Sequence, residues 1–552
     1  MRELARIDLG PDVRDLFLDE DRGLAVVLAQ SYGEQGPPDI GVTYIDVTNP
    51  AAPAVLGQDL IEGWLIDQRK IDGRVLLVGR FVPPRPDTLY RDDELQALIA
   101  AFRYRRENDN APSSSPREEL GARLRKLDVQ TLREQVRARV AELSREVPDA
   151  ELVPTLRRDG ATTATPLLPC SQIHAPGVDV DPGLLNIIRL DLDRDEVAAT
   201  AVVNNAWMTY ASRESLYVVQ TSRGWWWNAN QRTQSAIYKF DVGSAQPAYR
   251  GVGRVDGWVL NRFSMSEHDG YLRVATTSRD ASGETAANLF VLDDPGAGTL
   301  TQAGSVTGLA PGETIQSARF LADRGFLVTF RQVDPLFAFD LSNPEAPRLA
   351  GELKIPGFST YIHPLGQDHL LTIGVDGDET QADVGSVAVQ LFDVSDLAHP
   401  RLTHKAVVTE KLQYGFSLAQ HDPHAFTFFP PRNLLAFPLT TYDTQGRDGF
   451  SGAVVYKVDP QAGLSAVGRV DHAELAEAEV CATDRSPEAD LACGDGRFLW
   501  AAAPRRSVVM TAGAQAFLYS LSHLGIKATP VTDANQTLSV LPLPPPRHAW
   551  WF

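Results

Sequence analysis

The chain is 552 residues long and carries 52 Lys and Arg against 71 Asp and Glu, a formal charge of −19. That length exceeds one ordinary hydrophobic core, so several domains or a repeat array are expected. The acidic balance argues against nucleic acid or an anionic membrane as a main partner, and no apolar run approaches the roughly eighteen residues a membrane span needs.

Met1-Arg2-Glu3-Leu4 leads directly into a predicted strand, ELARIDL, with no signal peptide before it. That strand reads as the outermost one of a blade whose first three strands are absent. Either the C-terminal unit accepts it to close a ring, or the start lies inside a longer protein. The phrase TYIDVTNPAAPAVLGQDL (43–60) follows, and it has two partners, FAFDLSNPEAPRLAGEL (337–353) and VQLFDVSDLAHPRLTHKAVV (389–408). Each reads as a strand ending in Asp, a Ser/Thr turn, a proline and another strand. Asp46, Asp340 and Asp393 are expected to bond backbone N–H groups in the turn, and the prolines stop strand pairing from running on.

The second unit departs from β pattern. Residues 88–107 place Leu95, Leu98, Ile99 and Phe102 at helical spacing, and Ser115-Pro116-Arg117-Glu118 reads as a second helix start. Leu120, Leu124, Leu127, Leu132, Val136, Val140 and Leu143 form a narrow stripe behind it. The prediction is a helical hairpin over 88–150, inserted between strands 75–81 and 185–192. A cap on the rim is the first reading, and a lid or docking arm the second. Residues 88–150 hold 12 basic and 12 acidic side chains, so the rest of the chain carries the whole charge. Asp191, Asp193 and Asp195 alternate at a strand end, where solvated turn residues are favoured over ligands.

Unit three carries Trp225, Trp226 and Trp227 in a row. Neighbours on a strand alternate sides, so all three cannot face one core. A loop stapled down by its own aromatics is one outcome, and a ligand-binding recognition loop the other. In unit four, 257–265 (GWVLNRFSM) and 270–277 read as strands, with His268 in the turn between them.

The clearest unit is 311–355. Predicted strands at 317–321, 326–330, 336–340 and 349–353 make four in about forty residues, the size of one propeller blade. Unit six adds Asp376 and Asp378 in a polar loop. Ca²⁺ is their candidate ligand, although EF-hand spacing is missing and a solvated hairpin is favoured. His421-Asp422-Pro423-His424 in unit seven tempts a metal reading, but a zinc site needs further ligands, and a turn is preferred. Cys481 and Cys493 flank a polar loop (473–496) and are candidates for a disulfide, which would need an oxidising compartment. Cys170 is left over. No other cofactor is expected. GxSxG, GxxxxGK[ST] and GxGxxG signatures are absent, which lowers the expectation of an enzyme without removing it.

Eight units emerge, at about 11–60, 61–203, 204–255, 256–308, 311–355, 356–410, 411–472 and 497–545. The expected fold is all-β, a single β-propeller over 1–552 with about eight four-stranded blades, seven or nine remaining open. Three stretches, 256–277, 317–364 and 505–528, resemble bacterial and archaeal secreted proteins with a C-terminal β-propeller domain. The resemblance implies a propeller and an extracytoplasmic location in the cell envelope or exterior, and members of that family begin with a leader and a further blade segment. It implies no catalytic residues. The expected function is non-enzymatic binding or scaffolding with a protein or glycan partner. The alternative is a hydrolase or lyase acting on polysaccharide or peptide at a central channel.

Overall fold

A computed structural model describes residues 1–10, 12–32, 38–83, 89, 91–107, 127–176, 183–192, 196–222, 233–330, 334–355, 357–377, 386–409, 413–443, 449–476 and 502–544. Among these residues the strands form eight separate sheets, taken up in chain order. The fifth is typical. Thr314–Leu321, Arg324–Phe330, Asp334–Asp340 and Arg348–Ile355 pair antiparallel, each with the next. Its middle strands are buried on both faces, which suits their run of Phe, Leu and Val. Phe358–Leu365, His369–Val375, Val387–Asp393 and Arg401–Val407 repeat the arrangement as the sixth sheet.

The chain divides into two compact units. One comprises Met1–Pro11, Trp207–Phe240 and Arg250–Phe552, and the other Asp12–Ala206 and Asp241–Tyr249. In the first unit consecutive sheets pack face to face. Leu289, Phe320 and Phe337 join the fourth and fifth, Phe326, Ile362 and Phe392 the fifth and sixth, and Leu391, Phe426 and Phe437 the sixth and seventh. Buried polar side chains also tie each sheet to the next. Thr276 donates to the Asp256 carbonyl (2.6 Å), Thr277 accepts the Ile315 N–H (3.1 Å), and Gln420 donates to the Gly374 carbonyl (3.0 Å).

The recurring phrase, Asp-x-Ser/Thr followed by a proline, has a local cause. Asp340 accepts the Ser342 N–H (3.0 Å) and hydroxyl (2.7 Å) and the Arg348 guanidinium, and Asp393 does the same with Ser395 and Arg401. These bonds hold both carboxyls below the usual range, Asp393 at about 2. Asp46 bonds Thr48 in the same way. The turn then sits on a glycine of the preceding sheet. A Cβ on Gly304 would lie 2.5 Å from the Pro344 carbonyl oxygen, and one on Gly351 would strike the Leu397 and Ala398 carbonyls.

In the other unit, Arg74–Phe81 and Leu184–Asp191 pair residue by residue, from Arg74 with Asp191 to Phe81 with Leu184. Two helices occur in the segment between them, α1 (Asp93–Glu107) and α2 (Val129–Leu143). They pack through Leu98, Ala101 and Leu132, and Arg139 bonds Asp92 (2.5 Å).

Three sequence expectations need correction. The stripe through Leu127 and Leu132 does not belong to one uninterrupted helix. Asp128 is extended and accepts the Thr131 N–H (2.9 Å), so it caps a new helix at Val129. Residues 115–126 lie outside the described residues. The predicted strand ELARIDL is not a strand. Residues 3–9 pair with no other strand among the described residues; Arg6 bonds Glu3 (2.7 Å) and the Met1 amino group reaches Ser539. Residues 257–265 are not a continuous strand either. Trp258 makes one bridge to Thr277, and Asn261 then accepts the Phe263 N–H (2.9 Å) and closes a 3₁₀ turn over Arg262–Ser264.

Candidate functional site

The expected site residues do not gather. Trp225, Trp226 and Trp227 lie outside the described residues, as do Asp378, Cys481 and Cys493. Asp376 pairs with Lys405. Cys170 is exposed and free. Asp422 caps the turn Pro423–Ala425 by accepting the His424 N–H (2.9 Å), while His421 stacks on Phe416. Among the described residues no three His, Cys, Asp or Glu side chains converge as metal ligands would.

What does converge comes from the first strands. In the fifth sheet the first strand is bulged between Ile315 and Ser317, and in the sixth between Ser359 and Tyr361. A bulge sharpens the local twist and re-aims the side chains beyond it. Arg319 and His363 are therefore equivalent, each the fourth residue past the start of its bulge. Ser317 ties the two strands together by donating to the Ser359 carbonyl (2.6 Å).

Aromatic rings surround these two residues. The Arg319 guanidinium lies over Phe263, 4.9 Å from its centroid. Phe263 also meets Tyr361 edge-on (5.4 Å). Tyr361 packs edge-on against Phe426 (5.1 Å), and the His363 ring lies 5.4 Å from Phe426 and 5.3 Å from Phe428. The Tyr361 hydroxyl is 3.5 Å from His363 Nδ1. All but Phe426 are partly exposed, so the cluster opens to solvent.

The charge at the centre is unusual. Burial lowers the Arg319 pKa, and only the phenols of Tyr361 and Tyr210 oppose that shift. Among the described residues no carboxylate pairs with this guanidinium, and a desolvated cation without a counter-ion is destabilising. Burial, then Arg319, brings His363 down to about 4, so its ring is neutral at pH 7. Burial pushes the Tyr361 phenol up.

Tyr210 is held from behind. Its hydroxyl accepts the Glu267 N–H (2.9 Å), and the Glu267 carboxylate accepts from Tyr217 (2.7 Å), Ser215 (2.9 Å) and Ser212, with Lys239 3.5 Å away. Burial pushes the Glu267 carboxyl up, but these partners more than offset it and leave its pKa below the usual value.

Sequence reasoning passed over Arg319 and His363 because each sits inside an apolar strand, SARFL and TYIHP, that looked fully explained by packing. A charged or titratable residue at the same place in two successive first strands was the available signal. Phe263 was hidden by the misread strand.

The sequence matches the family profile described as a beta propeller domain over residues 1–533. The chain belongs to the beta propeller domain family. Two archaeal relatives are similar to part of this propeller. An uncharacterized protein of Methanocaldococcus jannaschii is 38% identical over 209 residues, and one of Archaeoglobus fulgidus is 38% identical over 211. Each match takes in 38% of this chain and 30% of the relative, so the propeller aligns with under a third of either archaeal protein.

Proposed function

We propose that the eight sheets are the blades of one propeller, with the helical pair inserted in the second, and that it works as a non-enzymatic binding protein outside the cytoplasm. In a propeller the first strands line a central channel. Arg319, Tyr361, His363 and Tyr210 all lie on first strands, so the reading puts them at that channel. The observation that carries the proposal is this meeting of a cation that has no carboxylate partner among the described residues with partly exposed rings from several sheets, a set that recognises ligands. The resemblance to secreted proteins supports the extracytoplasmic place, and a protein or glycan partner fits the aromatic content. No helix among the described residues is long and apolar enough to cross a membrane. A Ca²⁺ ion at Asp376 and Asp378 would have to displace the Lys405 ammonium.

The alternative, a hydrolase or lyase, would use the neutral His363 imidazole beside the Tyr361 hydroxyl as its acid–base pair. Calorimetric screening of the purified chain against glycans and peptides tests the binding reading. The expected result is a ligand held by the wild type and lost in the double variant Tyr361→Ala, Phe428→Ala. Ligands that bind both proteins equally would place the function elsewhere.

A further inference from the structure

Arg319 carries the question of what its ligand must bring. The guanidinium is desolvated, sits over Phe263 and has no carboxylate partner among the described residues. Its donors form a planar fork, a shape that matches the two oxygens of a carboxylate. The nearest titratable ring adds no second positive charge at pH 7, because His363 is neutral there. Arg273, the buried arginine near Tyr210, is already engaged. Arg273 donates to the Ser266 carbonyl (3.3 Å) and hydroxyl (2.8 Å) and to the Ala322 carbonyl. The cluster thus offers one positive charge, which suits a monoanion better than a phosphate dianion. Around the cation stand ring faces and edges, Phe263, Tyr361 and Phe428, placed to take the body of a flat or ring-shaped molecule.

Resting on the proposed binding site, we infer that Arg319 binds the carboxylate of a ring-bearing monoanion, with the ring against Phe263 and Tyr361. Neutral His363 and the phenols supply hydrogen bonds to the remaining lone pairs. A free aromatic acid and an acidic sugar share this chemistry.

Isothermal titration with benzoate, glucuronate, inorganic phosphate and the neutral analogue benzamide tests it, using the full chain and the variants Arg319→Gln, Arg319→Lys and Tyr361→Ala. Benzoate or glucuronate should bind, and whichever binds tells the two sources apart. Arg319→Gln should weaken that binding by at least about tenfold, with partial recovery in Arg319→Lys. Benzamide and phosphate should bind far more weakly. Circular dichroism of each variant checks folding, and since Arg319 has no carboxylate partner among the described residues, its replacement should not unfold the chain. Benzamide binding as well as benzoate, or no loss in Arg319→Gln, would overturn the carboxylate inference while leaving the site intact if Tyr361→Ala still abolished binding. Binding indifferent to both substitutions would overturn the site itself. Binding of none of the carboxylates would overturn the inference outright.

Discussion

At the scale of single residues, buried polar groups make the sharpest predictions. His472 is fully buried, with Nδ1 3.2 Å from the Ser522 hydroxyl and Nε2 2.7 Å from that of Ser520. Burial, then the Lys527 ammonium, brings its pKa down to about 3. An unfolded histidine titrates near 6.5, roughly. Between those values the unfolded chain binds the extra proton, so stability falls as pH drops from about 6.5 toward 3. Urea midpoints measured from about pH 7 to about pH 4 should fall, and His472→Asn should be less stable throughout but show a shallower fall. An equal slope in the variant would assign the acid sensitivity to other groups. Glu267 makes a second case. Glu267→Ala would leave the Tyr217, Ser215 and Ser212 hydroxyls without their shared acceptor, while Lys239 keeps Asp294 at 3.4 Å, and a loss of about 2 kcal/mol is expected in chemical denaturation. A loss under about 1 kcal/mol would show that the cluster adds little beyond packing.

At the scale of elements, the repeat phrase is a lock between sheets as well as a local turn. Gly351 lies under the Leu397 and Ala398 carbonyls, which belong to the turn of the following sheet. Gly351→Val is therefore expected to destabilise by about 3 kcal/mol, since backbone cannot step aside cheaply. Gly366 is the control. It has positive φ, but nothing lies near its absent Cβ, so Gly366→Ala should lose only about 1 kcal/mol. Equal losses in thermal or urea melts would mean that sheet packing plays no part. The order of strand, Asp-x-Ser and proline was legible in the sequence because it rests on neighbours two and eight residues apart. The recurrence of short strands was legible in the same way, but the additions of Thr155–Arg157 and Thr165–Pro166 to the first sheet and of Gly298–Thr299 to the third were not, because they cross the predicted bounds. The bulges in the first strands were not, because a bulge shows only against the partner strand. The convergence of Tyr210, Phe263, Arg319 and Tyr361 was not, because it joins positions up to 151 residues apart. The start of α2 at Asp128 could have been read, since Asp before Val-Gln-Thr is a cap, but the leucine stripe ran across it.

At the scale of the molecule, sheets carry the stability and insertions ride on them. The α1–α2 pair buries Leu98, Ala101 and Leu132 against itself, while the strands on either side of the segment pair directly with each other. Replacing residues 88–150 by a Gly/Ser linker should leave a cooperative melt near that of the parent, read by calorimetry. Loss of the folded state would make the helices part of the core. On the proposed propeller the same economy would apply to the site, because sheets that stack for packing reasons would bring their first strands together and need only a few substitutions there to make a binding surface. Crystals of the full chain soaked with benzoate and glucuronate test this most directly. The account predicts eight sheets around one axis, with ligand density between Arg319, Phe263 and Tyr361 at the inner strands. An open stack of sheets, or a carboxylate of the chain itself already seated on Arg319, would contradict it.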